Sequence, residues 1–234
     1  MKHSVTCNGR TIVYTLERKR VKNINLRVRG GEVFVSAARW VPLGVIERFV
    51  RSRASYILAA IERTAPRPEP RFGEGERFFY LGRELRLVLA QGKRTQAAAE
   101  GALLRLCLRE PENAEGVERA LQSWYRAESE RLCREACARL LPRFAPYGVP
   151  QQIEIKMRLM RSCWGNCRPA QGLVTFNARL AAVPPECIEY VAAHELTHFL
   201  HADHSSAFYA SLARVMPDWK ARRAALRPYA QLLR

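Results

Sequence analysis

The sequence predicts an α+β protein with a β-rich region at residues 1–112 and a mainly helical domain with a small sheet at residues 113–234. Two patterns support this prediction. In the first region apolar residues mostly alternate with polar ones, which is the period of a half-buried strand. In the second region apolar residues recur every three or four positions over long segments, which is the period of an amphipathic helix. We therefore expect strands with one helix first, followed by helices around a few strands.

The first region is predicted to begin with short strands. Alternating apolar residues occupy positions 12–16 and 24–28, and a further run follows the pair Gly30-Gly31. These runs predict two or three antiparallel strands with a glycine turn between the last two. Residues 42–63 change to a helical period with arginines on the polar side, which predicts one amphipathic helix.

A break rich in proline and glycine at residues 65–77 follows this helix. Such a composition ends regular structure and connects neighbouring elements. Strand character returns after the break, at residues 78–81, 85–89 and 103–108. No internal repeat is evident in the sequence.

The second region is predicted to start with a long helix. Apolar residues keep near-helical spacing over residues 117–140, and we expect this helix to end before Pro142. Residues 152–157 and 172–177 have the pattern of strands, and they flank a compact loop at residues 163–167. These segments form the small sheet of the predicted domain.

The net charge of the chain is strongly positive. It has 39 Lys and Arg against 22 Asp and Glu, which gives a formal charge of +17 at pH 7. Such a charge produces a positive potential that favours anionic partners. Two hypotheses stay open: a basic surface that contacts nucleic acid, and an arginine-rich surface without a specific partner.

The sequence favours a cytoplasmic protein that has no membrane partner. Its N-terminal residues lack the apolar core of a secretory signal, and no apolar stretch is long enough to span a bilayer. The seven cysteines are odd in number and scattered. This usage suits reduced thiols in a cytoplasm better than a disulfide framework.

A helix that begins at Pro184-Pro185 carries the most specific motif of the chain. His194, Glu195 and His198 form the H-E-x-x-H pattern. Histidines four residues apart lie on one face of a helix, so both imidazoles can bind one Zn²⁺ at about 2.0–2.1 Å. Glu195 is turned away from that face, where it can act as general base toward a metal-activated water and then as general acid. Burying four histidines within eleven residues would be unfavourable without a metal.

A catalytic zinc site needs a third protein ligand. His201 would lie about 10.5 Å along the axis from His194 if the helix continued, which is too far for both to bind one ion. His204 can return to the metal if the helix ends near residues 200–202 and the chain turns. We therefore predict His194, His198 and His204 as the ligands of one Zn²⁺, with Asp203 as the alternative third ligand.

At this point the chain resembles the YgjP-like zinc metallopeptidases, which are related to the SprT and WLM-type proteases. The resemblance is continuous through the C-terminal half and fainter in the N-terminal strands. It rests on these segments: Trp164-Gly165-Asn166-Cys167, Phe176 to Leu180, Pro184 to Val191, His194 to His198, His204-Ser205, Phe208 and Pro217-Asp218-Trp219.

The resemblance implies a zincin-like fold in which His194, His198 and His204 hold Zn²⁺ and Glu195 is catalytic. Two positions depart from the family pattern. Cys163 stands where a basic residue often precedes the tryptophan, and Asn166 replaces the usual serine. If either position contacts the substrate, specificity differs here.

Four further residues are predicted to support a metal ligand or to contact the substrate: His201, Glu128, Trp164 and Tyr209. Glu128 lies on the apolar stripe of the long helix, where a carboxylate can bind a metal-ligand histidine. The developing charge on a scissile carbonyl also needs a donor. Tyr209, Arg161 and Arg168 are the candidates, and the sequence does not choose among them.

The sequence therefore predicts a zinc metallopeptidase that hydrolyses peptide bonds in a protein or peptide substrate. One alternative is a metal-dependent hydrolase of nucleotides or other phosphoanhydrides, although the sequence has no glycine-rich phosphate loop. Another is a nucleic-acid-binding module whose zinc is structural. A protease that acts on DNA-bound proteins would combine nucleic-acid association with peptide hydrolysis.

Overall fold

The structure, a computed structural model, describes residues 2–7, 9–64 and 71–233, with the backbone alone at residues 62–64. Its mixture of strands and helices confirms the predicted α+β class. The chain forms two compact units, Met1–Glu69 and Pro70–Arg234. The division predicted between residues 112 and 113 falls inside the second unit, and as a domain boundary it stays a prediction.

The first unit is a four-stranded sheet with two helices packed against it. In chain order its elements are β1 (Lys2–Cys7), β2 (Arg10–Arg18), β3 (Asn25–Arg29), β4 (Glu32–Ala37), α1 (Leu43–Ser52) and α2 (Ala54–Thr64). The strand order is β1-β2-β4-β3. Alternate residues of β2 are buried against the helices, as the sequence pattern predicted.

Three predictions for this unit were wrong in detail. Strand β1 was missed, because Val5 is its only buried residue and its place depends on pairing with β2. Strands β2 and β4 are parallel, a long-range pairing that alternation does not reveal. The single predicted helix is two helices, since the amide of Arg53 bonds to the carbonyl of Val50 and interrupts the regular pattern. The glycine turn between β3 and β4 is confirmed.

The second unit begins with a sheet of the same strand order. Its strands are β5 (Arg77–Tyr80), β6 (Arg83–Gln91), β7 (Gln96–Glu100) and β8 (Leu103–Leu108). They are ordered β5-β6-β8-β7 with a parallel central pair, like the sheet of the first unit, although the sequence shows no repeat. The break predicted at residues 65–77 lies partly outside the described residues, which resume at residue 71.

Helix α3 (Ala114–Phe144) joins this sheet to the core around the site. Its first turns pack Val117 and Leu121 on the sheet, and its last turns belong to the core of the C-terminal elements. The helix was predicted to end before Pro142 but continues through it. Phe144 is fully buried, and its packing holds the last turn in place despite the missing amide hydrogen.

The remaining elements surround one apolar core. They are β9 (Glu154–Arg158), β10 (Gly165–Arg168), β11 (Leu173–Asn177), α4 (Pro185–Thr197), α5 (Ser206–Val215) and α6 (Trp219–Leu226), followed by 3-10 turns at Arg227–Leu233. The sheet order is β10-β11-β9, which leaves β10 at an edge. The predicted loop at residues 163–167 is therefore partly strand, because β10 begins at Gly165 and pairs with β11.

Candidate active site

Helix α4 positions the H-E-x-x-H motif. It begins after Pro184, which has an extended backbone, and Pro185 occupies the first helical position, as predicted. Ile188, Val191 and most other residues of the helix are buried in the C-terminal core, which fixes its orientation. The helix ends at Thr197, slightly earlier than the predicted end near residues 200–202.

The chain turns back immediately after α4. Amides of residues 198–200 bond to carbonyls three residues earlier, which tightens the turn. Ser205 then caps α5, since its side-chain oxygen accepts from the amide of Phe208 at 3.4 Å. His204 stands just before this cap, and the reversal brings it back toward the helix.

Three imidazole rings meet at this reversal. The ring centroids of His194, His198 and His204 are 4.8–5.0 Å apart in every pair. One ligand atom from each ring lies within 4.8 Å of the others. In the described part of the chain, this is the one group of three or more potential ligands that is close enough to hold an ion. The predicted histidines are thus brought together.

Contacts around the rings fix their orientation. The fully buried Phe208 ring has its centroid 4.8–4.9 Å from that of each histidine. The Nδ1 of His198 lies 3.0 Å from the carbonyl of His201, which can only accept, so Nδ1 carries the proton and Nε2 is free. The Nε2 atoms of His194 and His204 are 2.9 Å apart and share the same small space.

These residues fit a metal ion. Three imidazole nitrogens are a common donor set for catalytic zinc. Burial, together with the nearby rings of His198 and His204, lowers the pKa of His194 to about 3, so this imidazole is neutral at pH 7. A neutral imidazole is the form that binds a metal. The buried Nδ1 of His194 has no hydrogen-bond partner in the described structure.

Glu195 lies beside this group and is 5% exposed. Its environment is unusual, because strand β10 approaches its side chain at Gly165. A Cβ atom added at Gly165 would lie 2.5 Å from Oε1 and 2.6 Å from Cγ of Glu195. Burial raises the pKa of Glu195 to about 8. A carboxylate with a raised pKa is suited to accept and return a proton near neutral pH.

The histidines and Glu195 open onto a cleft of about 760 Å³, which we call the active-site cleft. Four parts of the chain line it: residues 163–167 and Pro169 around β10, helix α4 with the adjoining His198, the loop residues Ala202 and His204, and the segment from Arg223 to Leu233. The volume is in the range of ligand-binding sites in proteins. The cleft therefore gives a substrate access to the carboxylate and the three imidazoles.

The family of the chain follows from a comparison with family models. The model of the YgjP-like metallopeptidase domain matches residues 22–229 of the 234 residues. The chain belongs to the YgjP-like family. A YgjP-like metallopeptidase is a metal-dependent protease, so the predicted hydrolase class is confirmed at this level.

Other comparisons add little to the YgjP-like assignment. A search of curated proteins gives no match. The crystal structure of the metallopeptidase zymogen of Pyrococcus abyssi abylysin matches at 19% identity, over 43% of this chain and 93% of that one, with a TM-score of 0.35. A similarity this low carries no inference about fold or function. The nucleic-acid partner predicted from the charge is supported neither by the family model nor by the abylysin structure.

Three other predicted site residues of this YgjP-like chain lie in or next to the site: Trp164, His201 and Tyr209. Trp164 lines the active-site cleft. His201 supports His198 through its backbone carbonyl, while its ring lies 2.9 Å from the hydroxyl of Ser211. Tyr209 lies against the ring of His204, with centroids 6.3 Å apart.

Glu128 is the predicted residue that the YgjP-like structure places elsewhere. It accepts a hydrogen bond from the hydroxyl of Tyr80 at 2.6 Å and pairs with Arg131 at 2.8 Å. Among the described residues, no contact joins it to the histidines. The structure therefore does not place Glu128 where it could bind a metal-ligand histidine. Its partners instead connect α3 with β5.

Sequence reasoning missed three residues of the YgjP-like site. Tyr190 precedes His194 by one helical turn and lines the cleft, so the four-residue spacing could have revealed it. The close approach of Gly165 to Glu195 and the presence of Arg223 in the cleft depend on tertiary packing. Of the predicted oxyanion donors, neither Arg161 nor Arg168 is among the described residues that line the cleft.

No helix in the described ranges is both long enough and apolar enough to cross a membrane.

Proposed function

We propose that the chain is a zinc-dependent peptidase in which His194, His198 and His204 hold one Zn²⁺ and Glu195 transfers protons. The observation that supports this most is the convergence of three imidazoles beside a buried carboxylate at an open cleft. When bound, Zn²⁺ would supply Lewis-acid chemistry, which polarises a carbonyl and lowers the pKa of water. Zinc is the ion that this all-imidazole donor set favours among the hydrolytic metals.

Glu195 is proposed as the group that takes a proton from the attacking water and returns it to the leaving amine. Its side chain lies between α4 and β10, in space that exists because residue 165 has no side chain. None of the described residues donates a hydrogen bond to the carboxylate, so both oxygens are available for the proton. The space at Gly165 therefore accommodates the base in this position.

Tyr190 is proposed as a donor to the carbonyl oxygen on which negative charge develops. It lies on the same face of α4 as His194, with ring centroids 5.9 Å apart, and it lines the cleft. A tyrosine hydroxyl is protonated at neutral pH and can donate one hydrogen bond. Among the described residues, Tyr209, Arg161 and Arg168 do not line the cleft, which favours Tyr190 over these three donors.

A peptide is the substrate that the cleft favours over a nucleotide. Strand β10 is an edge strand that lines the cleft, and an extended peptide can pair with such an edge through its backbone. Phosphoanhydride hydrolysis would need a phosphate-binding loop, which the sequence does not contain. A cytoplasmic location is consistent with the seven cysteines, all of which are free thiols.

The substrate class can be tested directly with purified, zinc-loaded protein. We expect release of new amino groups from an unfolded protein such as casein, and no release of phosphate from nucleoside triphosphates. Glu195→Gln keeps the size of the side chain but cannot accept the proton, so it should retain zinc and lose amine release. Phosphate release that disappears in Glu195→Gln would instead establish the nucleotide hydrolase.

A further inference from the structure

The charged residues of the active-site cleft suggest which substrates it prefers. Apart from the histidines, three charged side chains line the cleft: Glu195, Arg223 and Arg227. Glu195 is buried, whereas both arginines are exposed. The cleft therefore presents two cations to a substrate and no exposed carboxylate.

The two arginines have no ion-pair partner among the described residues. The neighbouring Arg222 shows the contrast, because it is paired with Glu189 at 2.6 Å and with Asp218 at 2.8 Å. Arg222 thus stabilises the packing of α6. Arg223, the next residue, lines the cleft and is not paired with a carboxylate of the described residues. Its charge remains available for an anionic group of a ligand.

An aromatic surface positions Arg223 close to the histidines. The centre of its guanidinium group lies 6.0 Å from the ring centroid of Tyr209, within the range of a cation–π contact. Tyr209 is held in turn by stacking on Trp219 at 4.8 Å, and it lies against His204. The guanidinium is therefore supported next to the third histidine and is partly ordered before a substrate arrives.

We propose that Arg223 and Arg227 form a carboxylate-binding subsite of the active-site cleft, so that acidic peptides are the preferred substrates. A guanidinium group binds a carboxylate through two parallel hydrogen bonds, which gives both affinity and orientation. The carboxylate can come from an Asp or Glu side chain or from the C-terminus of a peptide. This proposal rests on the proposed peptidase function, because it assigns the substrate class of the same cleft.

Binding to an inactive protein separates this proposal from the peptidase function. The zinc-loaded Glu195→Gln protein is titrated with fluorescent peptides that differ at one position, Glu or Gln, or at the C-terminus, free acid or amide. We expect about tenfold tighter binding of the peptide that carries the carboxylate, as for a hydrogen-bonded charge at a protein surface. Selectivity for Glu identifies a side-chain carboxylate, and selectivity for the free acid identifies a terminal one.

Arginine variants then test whether these residues cause the selectivity. Arg223→Gln and Arg227→Gln should each reduce it severalfold, and Arg223→Glu should reverse it in favour of a lysine-containing peptide. Lys220→Gln is the matched control, because Lys220 lies on the same helix over an aromatic ring, 5.7 Å from the Trp219 centroid, but does not line the cleft. We expect Lys220→Gln to keep the selectivity.

Equal affinity for the charged and neutral peptides would overturn the subsite, as would selectivity that survives both arginine substitutions. Preferential binding of a nucleoside triphosphate over the acidic peptide would also overturn it. None of these outcomes depends on cleavage. If the wild-type protein cleaves no peptide but the binding selectivity follows Arg223, the peptidase function fails and the carboxylate subsite stands.

Discussion

The contact between Gly165 and Glu195 leads to a specific prediction. In Gly165→Ala, the new Cβ would lie 2.5 Å from Oε1, 2.6 Å from Cγ and 2.7 Å from Cδ of Glu195. The shortest distance must grow by 0.5 Å to reach 3.0 Å, and by 0.9 Å to reach the ordinary contact distance of 3.4 Å. Glu195 is buried on a packed helix at the edge of the active-site cleft, so a shift of its carboxylate away from the new methyl group would also move it relative to the histidines. Either the base or strand β10 has to move.

A displacement of nearly 1 Å at a reacting group can cost about 100-fold in rate. We therefore expect Gly165→Ala to lower kcat on a peptide substrate by about that factor. Forcing a methyl group into a packed site should also cost about 1–3 kcal/mol of unfolding free energy. Zinc content should be unchanged, because the substitution touches none of the three histidines.

The assay compares steady-state kinetics, zinc content and urea unfolding of Gly165→Ala with those of Gly73→Ala. Gly73 is the control because a Cβ there meets no atom within 4 Å, and its backbone is compatible with alanine. We expect wild-type kinetics for Gly73→Ala. An unchanged kcat in Gly165→Ala would refute the view that Glu195 depends on the space this glycine leaves.

Three further predictions concern single side chains. Tyr190→Phe should lower kcat about 100-fold, as for the loss of one oxyanion donor, with zinc content unchanged; a kinetic effect limited to KM would contradict the role. Burial raises the pKa of Glu189, but hydrogen bonds from Arg222 and Arg139 outweigh it and hold that pKa below its usual value. Its stabilisation is complete above the unfolded pKa of about 4.3 and is lost as the pH falls through the lower folded value. Glu189→Gln should therefore cost about 1 kcal/mol at pH 7 and progressively less as the pH falls below about 4 in urea titrations. A cost that does not fall with pH would exclude the charge as the cause. The buried Ser129 donates to the carbonyl of Ala178 and accepts from the amide of Ala181, so Ser129→Ala should cost about 2 kcal/mol, whereas the exposed Ser52→Ala should be nearly neutral.

Local features of the sequence explain why much of the site could be predicted. The spacing of His194 and His198 places them on one helical face whatever the rest of the chain does. His204 was predicted because a chain that turns after the helix can bring it back to the metal. The structure places it beside His194 and His198. Strands β2, β3 and β4 of the first unit followed from alternation, which reports burial of one face.

Features that depend on contacts distant in sequence could not be predicted in this way. The parallel pairing of β2 with β4 and of β6 with β8 joins segments whose own patterns fit either direction. Gly165 meets Glu195 only because β10 and α4 pack together, thirty residues apart along the chain. Arg223 reaches the cleft through the packing of α6, while its neighbour Arg222 turns to Glu189. Glu128 lay on an apolar stripe, but that stripe faces Tyr80 at this point.

The central claim is that three histidines hold one zinc ion beside a base that is not itself a ligand. Elemental analysis of the purified wild type, Glu195→Gln and His204→Ala proteins tests it most directly, with His201→Ala as the control for a histidine outside the trio. We predict one zinc per chain in the wild type, Glu195→Gln and His201→Ala proteins, and little or none in His204→Ala. Full zinc content in His204→Ala, or loss of zinc in Glu195→Gln, would contradict the account.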